Sequence, residues 1–225
     1  MSGASRRSER AGFSATSRLA SGVAFLAILL SLGFGAEAQP LAPDNPTSGS
    51  ASLTIDAPAP VSGSKIGFGE TSGVPRGYYD YCVRVPGACH LSAGVMTTTH
   101  DGSVVMTGAT MAQITKVNAA VNAAIRPALR DDWTPGMPEG DCKDFAMTKR
   151  QRLIASGWPS SALPLAIVRT AQGEQHLILV ARTSQGDFLL DNLTSEIRPW
   201  STAPYSWEKI QSTTEALAWR QVRSY

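Results

Sequence analysis

Apolar positions follow three different rhythms along this chain. Val23 to Leu32 is apolar at every position except Ser31. That run is too short to span a bilayer, which takes about 20 residues, and no other stretch is long enough. Thr107 to Leu129 sets Met111, Ile114, Val117, Val121 and Ile125 at spacings of three and four. That period predicts a helix, and Pro127 marks its end. Leu165 to Val168, His176 to Arg182 and Asp187 to Asp191 are short apolar runs that read as strands, the last two joined by Thr183-Ser184-Gln185-Gly186 as a hairpin loop. A second helix is expected to begin at Asp141 as N-cap, with Cys142 its first residue. Phe145, Ala146, Leu153 and Ile154 would form its inward face, Gly157 fits the C′ position and Pro159 follows. The polar loop before it, Arg130 to Glu139, holds Trp133, Pro135, Gly136 and Pro138.

The hairpin has a chemical consequence. A four-residue loop pairs Arg182 with Asp187, so His176 lies opposite Leu193. Asp191 then sits on the same face, diagonal to His176. Diagonal neighbours lie about 7–8 Å apart, within reach of an imidazole–carboxylate hydrogen bond. A slip of one residue would move Asp191 to the other face.

The N-terminal rhythm changes where the protein is expected to work. Arg6, Arg7, Arg10 and Arg18 precede the apolar run and Ala36-Glu37-Ala38 follows it, which reads as a signal peptide over residues 1–38 with the mature chain starting at Gln39. Ser5-Arg6-Arg7 resembles a twin-arginine signal, but Ser8-Glu9 fits it poorly, so the export route stays open. Losing residues 1–38 removes four Arg and two Glu, which takes 20 basic and 18 acidic residues to 16 of each. The formal charge of +2 therefore belongs to the signal, and no basic field remains to recruit nucleic acid. Residues 39–69 are rich in Pro, Ala, Ser and Gly and read as a flexible tether. Residues 70–225 suit a single domain with one core. The expected location is periplasmic or secreted, with no transmembrane segment once the signal is gone.

Export puts the three cysteines where disulfides persist. Pro86-Gly87 is a turn signal between Cys82 and Cys89, so a small disulfide-closed loop is the economical reading. Cys142 is then the odd thiol: an intermolecular bridge, a buried structural thiol or a reactive group. Its neighbours Asp141, Lys143 and Asp144 are polar and argue against a core strand. Cys89-His90 and Cys142 lack the paired short spacing of a structural zinc site.

Gly140-Asp141-Cys142-Lys143-Asp144-Phe145-Ala146, then Lys149, Gln175-His176-Leu177 and Leu190-Asp191-Asn192-Leu193, resembles the bacterial transglutaminase-like cysteine proteinases. Tyr81-Cys82 with Pro86 and Cys89, Val117-Asn118 with Val121-Asn122, and Asp132-Trp133 extend the likeness over about Gly77 to Trp207. The resemblance implies an α+β, papain/transglutaminase-like fold, with a helical part carrying Cys142 packed on an antiparallel sheet carrying His176 and Asp191. It implies periplasmic or secreted proteolysis of a protein or peptide, a surface adhesin shed during biofilm dispersal in the best understood relatives, and leaves room for a regulatory membrane protein. Members of the family often carry Glu directly after the Cys, and some that depend on calcium use acidic residues there. Lys143 opposes a cation at that point, so calcium is not expected as a requirement, and Asp141 and Asp144 are the only candidate ligands.

Cys142, His176 and Asp191 are thus the candidate catalytic residues: nucleophile, base and orienting acceptor. The helix start favours a thiolate. The Cys142 amide is the candidate oxyanion donor, with support from the Arg130–Glu139 loop, Trp133 and Asn192 as candidates. No other cofactor is needed. Protein cross-linking by acyl transfer and a non-catalytic peptide-binding module are the competing readings. Trp200, Trp207, Trp219 and Tyr205 crowd the C-terminal segment and read as core or sheet-covering aromatics.

Overall fold

Among the described residues, three α-helices and a seven-stranded antiparallel sheet take up most of the apolar positions singled out above. The computed structural model describes residues 63–130 and 132–223. The signal segment and the tether up to residue 62 lie outside them. The last part of the expected tether belongs to the fold instead. Gly63 N–H donates to the Gln185 carbonyl at 2.7 Å, Ile66 is buried, and strand β1 starts at Phe68. Ile66 and Phe68 supply apolar side chains at alternate positions, and Asp187 accepts the Ile66 N–H at 2.8 Å, so this stretch has both burial and a backbone partner.

Strand β1 (Phe68–Ser72) leads into helix α1 (Arg76–Arg84), which buries Tyr78, Tyr81 and Cys82. A short 3-10 turn, Pro86–Cys89, brings Cys89 back to Cys82, and the two form a disulfide. Helix α2 (Gly108–Ala124) is capped by Thr107, whose hydroxyl accepts Thr110 N–H at 3.1 Å. It stops five residues short of the apolar pattern that predicted it. Pro127 disfavours helical geometry at the residue before it, and Arg126–Pro127 becomes β2, paired in parallel with Glu139–Gly140, β3. This short ladder closes the base of the loop that precedes helix α3 (Cys142–Ala155).

The remaining strands are β4 (Leu165–Arg169), β5 (Gln175–Thr183), β6 (Gly186–Leu190), β7 (Arg198–Pro199), β8 (Ser206–Gln211) and β9 (Trp219–Val222). The sheet order is β1-β9-β8-β4-β5-β6-β7. Strands β4, β5 and β6 are buried on both faces, which is why they read as continuous apolar runs. Leu177, Leu179 and Ala181 share one core cluster with Ala146, Met147 and Leu153 of α3. Ile178, Val180 and Leu189 belong to a second cluster, covered by Phe68, Trp200, Tyr205 and Trp207. Of the C-terminal aromatics, Trp219 is fully buried and meets Tyr78 edge-on at 5.8 Å. Trp200 and Trp207 are half-buried and meet edge-on at 5.4 Å.

The β5–β6 register pairs Arg182 with Asp187, as the loop count requires. The ladder runs one step further, to Thr183 and Gly186, leaving a two-residue turn. Gly186 has φ of 114°, and a Cβ there would meet the Gly63 carbonyl oxygen at 2.4 Å, so glycine is required both by conformation and by the approach of the N-terminal segment. No helix among the described residues is long and apolar enough to cross a membrane.

The Cys82–Cys89 bridge closes a loop seven residues apart in sequence. By chain entropy such a loop contributes about 2.5 kcal/mol. A Cys82→Ala/Cys89→Ala variant is expected to melt roughly 5–10 °C lower by calorimetry. An unchanged melting temperature would mean that the packing of α1 alone holds this corner.

Candidate active site

Helix α3 starts where it does because two aspartates satisfy its first amides. The Asp141 carboxylate accepts Lys143 N–H at 3.0 Å, and the Asp144 carboxylate reaches back to Asp141 N–H at 3.0 Å, completing a capping box. The other Asp144 oxygen accepts Thr134 N–H at 3.0 Å. One turn on, Thr148 Oγ1 accepts Gly136 N–H at 2.9 Å. The loop before α3 is therefore fastened to the helix by backbone donors. Gly140 leaves the room this needs, since a Cβ there would lie 2.3 Å from Asp144 Oδ2. Burial pushes the Asp144 carboxyl up, while the Thr134 and Asp141 amides hold it down less effectively.

Trp133 sits in this loop, buried, with its indole against Gly77 of α1 and its ring 5.6 Å from that of Tyr78. A Cβ on Gly77 would come within 2.3 Å of Trp133 Nε1. Helix α1 thus presses Trp133 toward the start of α3. Cys142, the first residue of α3, is half-buried and the only free cysteine. Cys142, Trp133, Ile167, Gln175, His176 and Leu177 line one small cavity of about 130 Å³, together with Lys143.

His176 enters from the second residue of β5 and is buried. Its Nε2 lies 2.8 Å from Asp191 Oδ1. Asp191 follows the last residue of β6, also buried, and its Oδ1 accepts Leu193 N–H at 3.0 Å. With Nε2 engaged, Nδ1 is the nitrogen left for the thiol side. Burial opposes the imidazolium, but the hydrogen bonds and charges of Asp191 and Cys142 outweigh it and push His176 up to about 9. Burial likewise opposes the Asp191 carboxylate, and the His176 bond, the His176 charge, the Leu193 amide and the Tyr205 hydroxyl hold it below the usual range.

Several residues that the sequence reading did not assign to the site also touch it. Asn118 and Asn122, four residues apart on α2, clamp the turn after Asp191. Asn122 Nδ2 donates to the Asp191 carbonyl at 2.9 Å and to that of Thr194 at 3.1 Å, and Asn118 Nδ2 donates to the Thr194 and Ser195 carbonyls. Two amides one helical turn apart, flanking Val117 and Val121, are the signal that could have shown this. Tyr205 donates its hydroxyl to Asp191 Oδ2. Lys149, two turns along α3 from Cys142, is fully buried, its ammonium without a hydrogen-bond partner. Burial lowers Lys149 to about 7 and attraction to Asp191 partly restores it. Asn192, an expected oxyanion support, is half-buried in the turn and does not line the cavity beside Cys142.

Asp141 and Asp144, the two candidate calcium ligands, are already engaged here. Lys143 Nζ bonds Asp141 Oδ2 and the Arg130 carbonyl, the latter at 3.1 Å. Both Asp144 oxygens are taken by backbone amides. A divalent cation would have to displace an ammonium and break the helix cap. Among the described residues no three His, Cys, Asp or Glu side chains gather as a metal-binding group.

The sign of the His176 shift sets a pH dependence. The folded state holds its proton more tightly than the unfolded chain, whose value is 6.5. The stabilisation from the His176–Asp191 pair is therefore complete below 6.5 and is lost as pH rises through about 9. Imidazole nitrogen resonances of His176 are expected to titrate near pH 9, and Asp191→Asn to bring that titration down toward 6.5. A His176 titration already at 6.5 in the unaltered protein would contradict the pairing.

One family model matches most of this chain. The model of the bacterial transglutaminase-like cysteine proteinases matches residues 68–225. Calcium-bound LapG of Legionella pneumophila is 25% identical over 45% of this chain and 64% of its own, with a TM-score of 0.42. EGTA-treated LapG is 22% identical over 51% and 68%, with a TM-score of 0.43. This chain therefore spans slightly under two thirds of calcium-bound LapG. No protein of curated function matches it. Matched by that family's model from β1 to the C-terminus, the chain belongs to the bacterial transglutaminase-like cysteine proteinases.

Proposed function

We propose that this protein is an exported cysteine peptidase that cleaves peptide bonds through Cys142, His176 and Asp191. The observation that carries the reading is one juxtaposition. The only free thiol stands at a helix N-terminus, in the same cavity as an imidazole whose far nitrogen is held by a buried carboxylate. A thiol, a base and an orienting acceptor are what acyl chemistry at sulfur requires.

With the thiol proton already resting on His176 Nδ1, the Cys142 sulfur adds to the substrate carbonyl carbon. The oxyanion that forms faces the amides at the start of α3, the Cys142 N–H first among them. As the intermediate collapses, His176 returns the proton to the departing amine, leaving a thioester. Water, deprotonated by His176, then attacks the thioester and releases the acid and the thiol. Asp191 keeps the imidazole in place and balances its charge through both steps. Trp133, Ile167 and Leu177 give the cavity apolar walls.

The signal-like first 38 residues support export to the periplasm or beyond. Family membership supports a protein substrate, and a cell-surface adhesin is the one proposed. Lys143 supports independence from calcium, because it already neutralises the Asp141 carboxylate.

Cys142→Ala is expected to abolish labelling by a thiol-directed probe and all cleavage of a protein substrate, with circular dichroism unchanged. Cleavage at the original rate by that variant would refute the mechanism. A labelled primary amine added to the reaction distinguishes hydrolysis from acyl transfer: incorporation of the label into protein would replace the peptidase reading with a cross-linking one. Treatment with EGTA is expected to leave both the melting temperature and the probe-labelling rate unchanged, and a calcium-restorable loss of either would overturn calcium independence.

A further inference from the structure

Asp191 has two carboxylate oxygens, and the triad chemistry uses only one. His176 Nε2 and Leu193 N–H both meet Oδ1, at 2.8 Å and 3.0 Å. Without a donor at Oδ2, the carboxylate could turn about its Cβ–Cγ bond, and a buried anionic oxygen would lack a partner. The partner comes from far along the chain. Tyr205 lies between the 3-10 turn Trp200–Thr202 and strand β8, and its hydroxyl donates to Asp191 Oδ2.

Tyr205 is itself held. Its amide donates to the Ala203 carbonyl at 2.9 Å, and its ring packs on the second core cluster beside Ala203 and Trp207. The same ring stands 5.9 Å from the His176 imidazole, at an interplanar angle of 47°. The residue therefore touches both the carboxylate and the imidazole that the carboxylate orients. The groups facing Asp191 are then His176, the Leu193 amide, Tyr205 and, electrostatically, Lys149.

We propose that Tyr205 is a positioning residue of this enzyme. Its hydroxyl fixes the plane of the Asp191 carboxylate and shares its negative charge, so that Asp191 holds His176 in line without binding the imidazolium proton too tightly. The proposal rests on the Cys142–His176–Asp191 reading and adds a fourth member, supplied by the residue just before β8, the strand that pairs with β4.

The variant Tyr205→Phe keeps the ring and removes the donor. A hydrogen bond to a charged group at the lower end of its usual worth corresponds to about tenfold in rate. We therefore expect kcat to fall about tenfold with KM within twofold of its original value. The His176 titration is expected to move upward from about 9, because Oδ1 then carries more of the carboxylate charge. A purely structural tyrosine would change the melting temperature and leave that titration in place. Unchanged kcat and an unmoved His176 titration in Tyr205→Phe, while Cys142→Ala and Asp191→Asn are inactive, would overturn the role of Tyr205 and leave the triad standing. Retained cleavage in Cys142→Ala would overturn the triad itself.

Discussion

A buried carboxylate is the constraint around which this fold is arranged. Asp191 is nearly inaccessible to water, and an ionised group in such a place is tolerated only if its oxygens are met by donors. Its donors come from separate parts of the chain: His176 from β5, the Leu193 amide from the turn after β6, and Tyr205 from the approach to β8. Helix α2 adds Asn122 on the carbonyl of the same residue. The β5–β6 register, the turn at Asp191 and the approach to β8 must all be in place before the charge is satisfied. The arrangement that orients the imidazole is therefore also a condition of folding.

The two sides of the candidate site are held by different physics. On the sheet side, burial on both faces and a tight hairpin fix His176 and Asp191. On the helix side, polar capping does the work. Asp144 links Thr134, Asp141 and the start of α3, and Lys143 ties Asp141 to the Arg130 carbonyl. The ammonium stands among oxygen atoms, a carboxylate and a carbonyl, that would suit a hard cation. In this chain the positive charge is covalently attached.

Much of this was legible in the residue order. The N-cap at Asp141, the start of α3 at Cys142 and the Arg182–Asp187 pairing follow from local rules: a short acidic side chain before an apolar period, and a loop of countable length. The pattern to Leu129 overshoots α2 because the steric effect of Pro127 already disfavours helix at Arg126, and Ile125 becomes the C-cap. The lower edge of the domain was set too late because Pro and Gly dominate the composition up to residue 69, whereas Ile66 and its bond to Asp187 decide the structure. Lys149 stands in the motif and Tyr205 among the C-terminal aromatics, but the sequence does not show that either faces Asp191. Nothing near them in sequence says which strand end they face, and a lysine between Thr148 and Arg150 on α3 looks like any solvated helix lysine until the sheet covers it.

The sheet order has one more consequence. Strands β1 and β9 are neighbours, with Phe68 opposite Val222 and Ser72 opposite Trp219. They form one edge of the sheet, while β5 and β6 lie at the other end, beyond β8 and β4. A stretching force applied at residues 68 and 222 would peel β1 from β9 one ladder pair at a time, starting at Phe68 and Val222. It would not shear the sheet. Strands β5 and β6, which position His176 and Asp191, would carry no load until that edge had parted, so mechanical failure of this domain begins as far from the candidate site as the sheet allows.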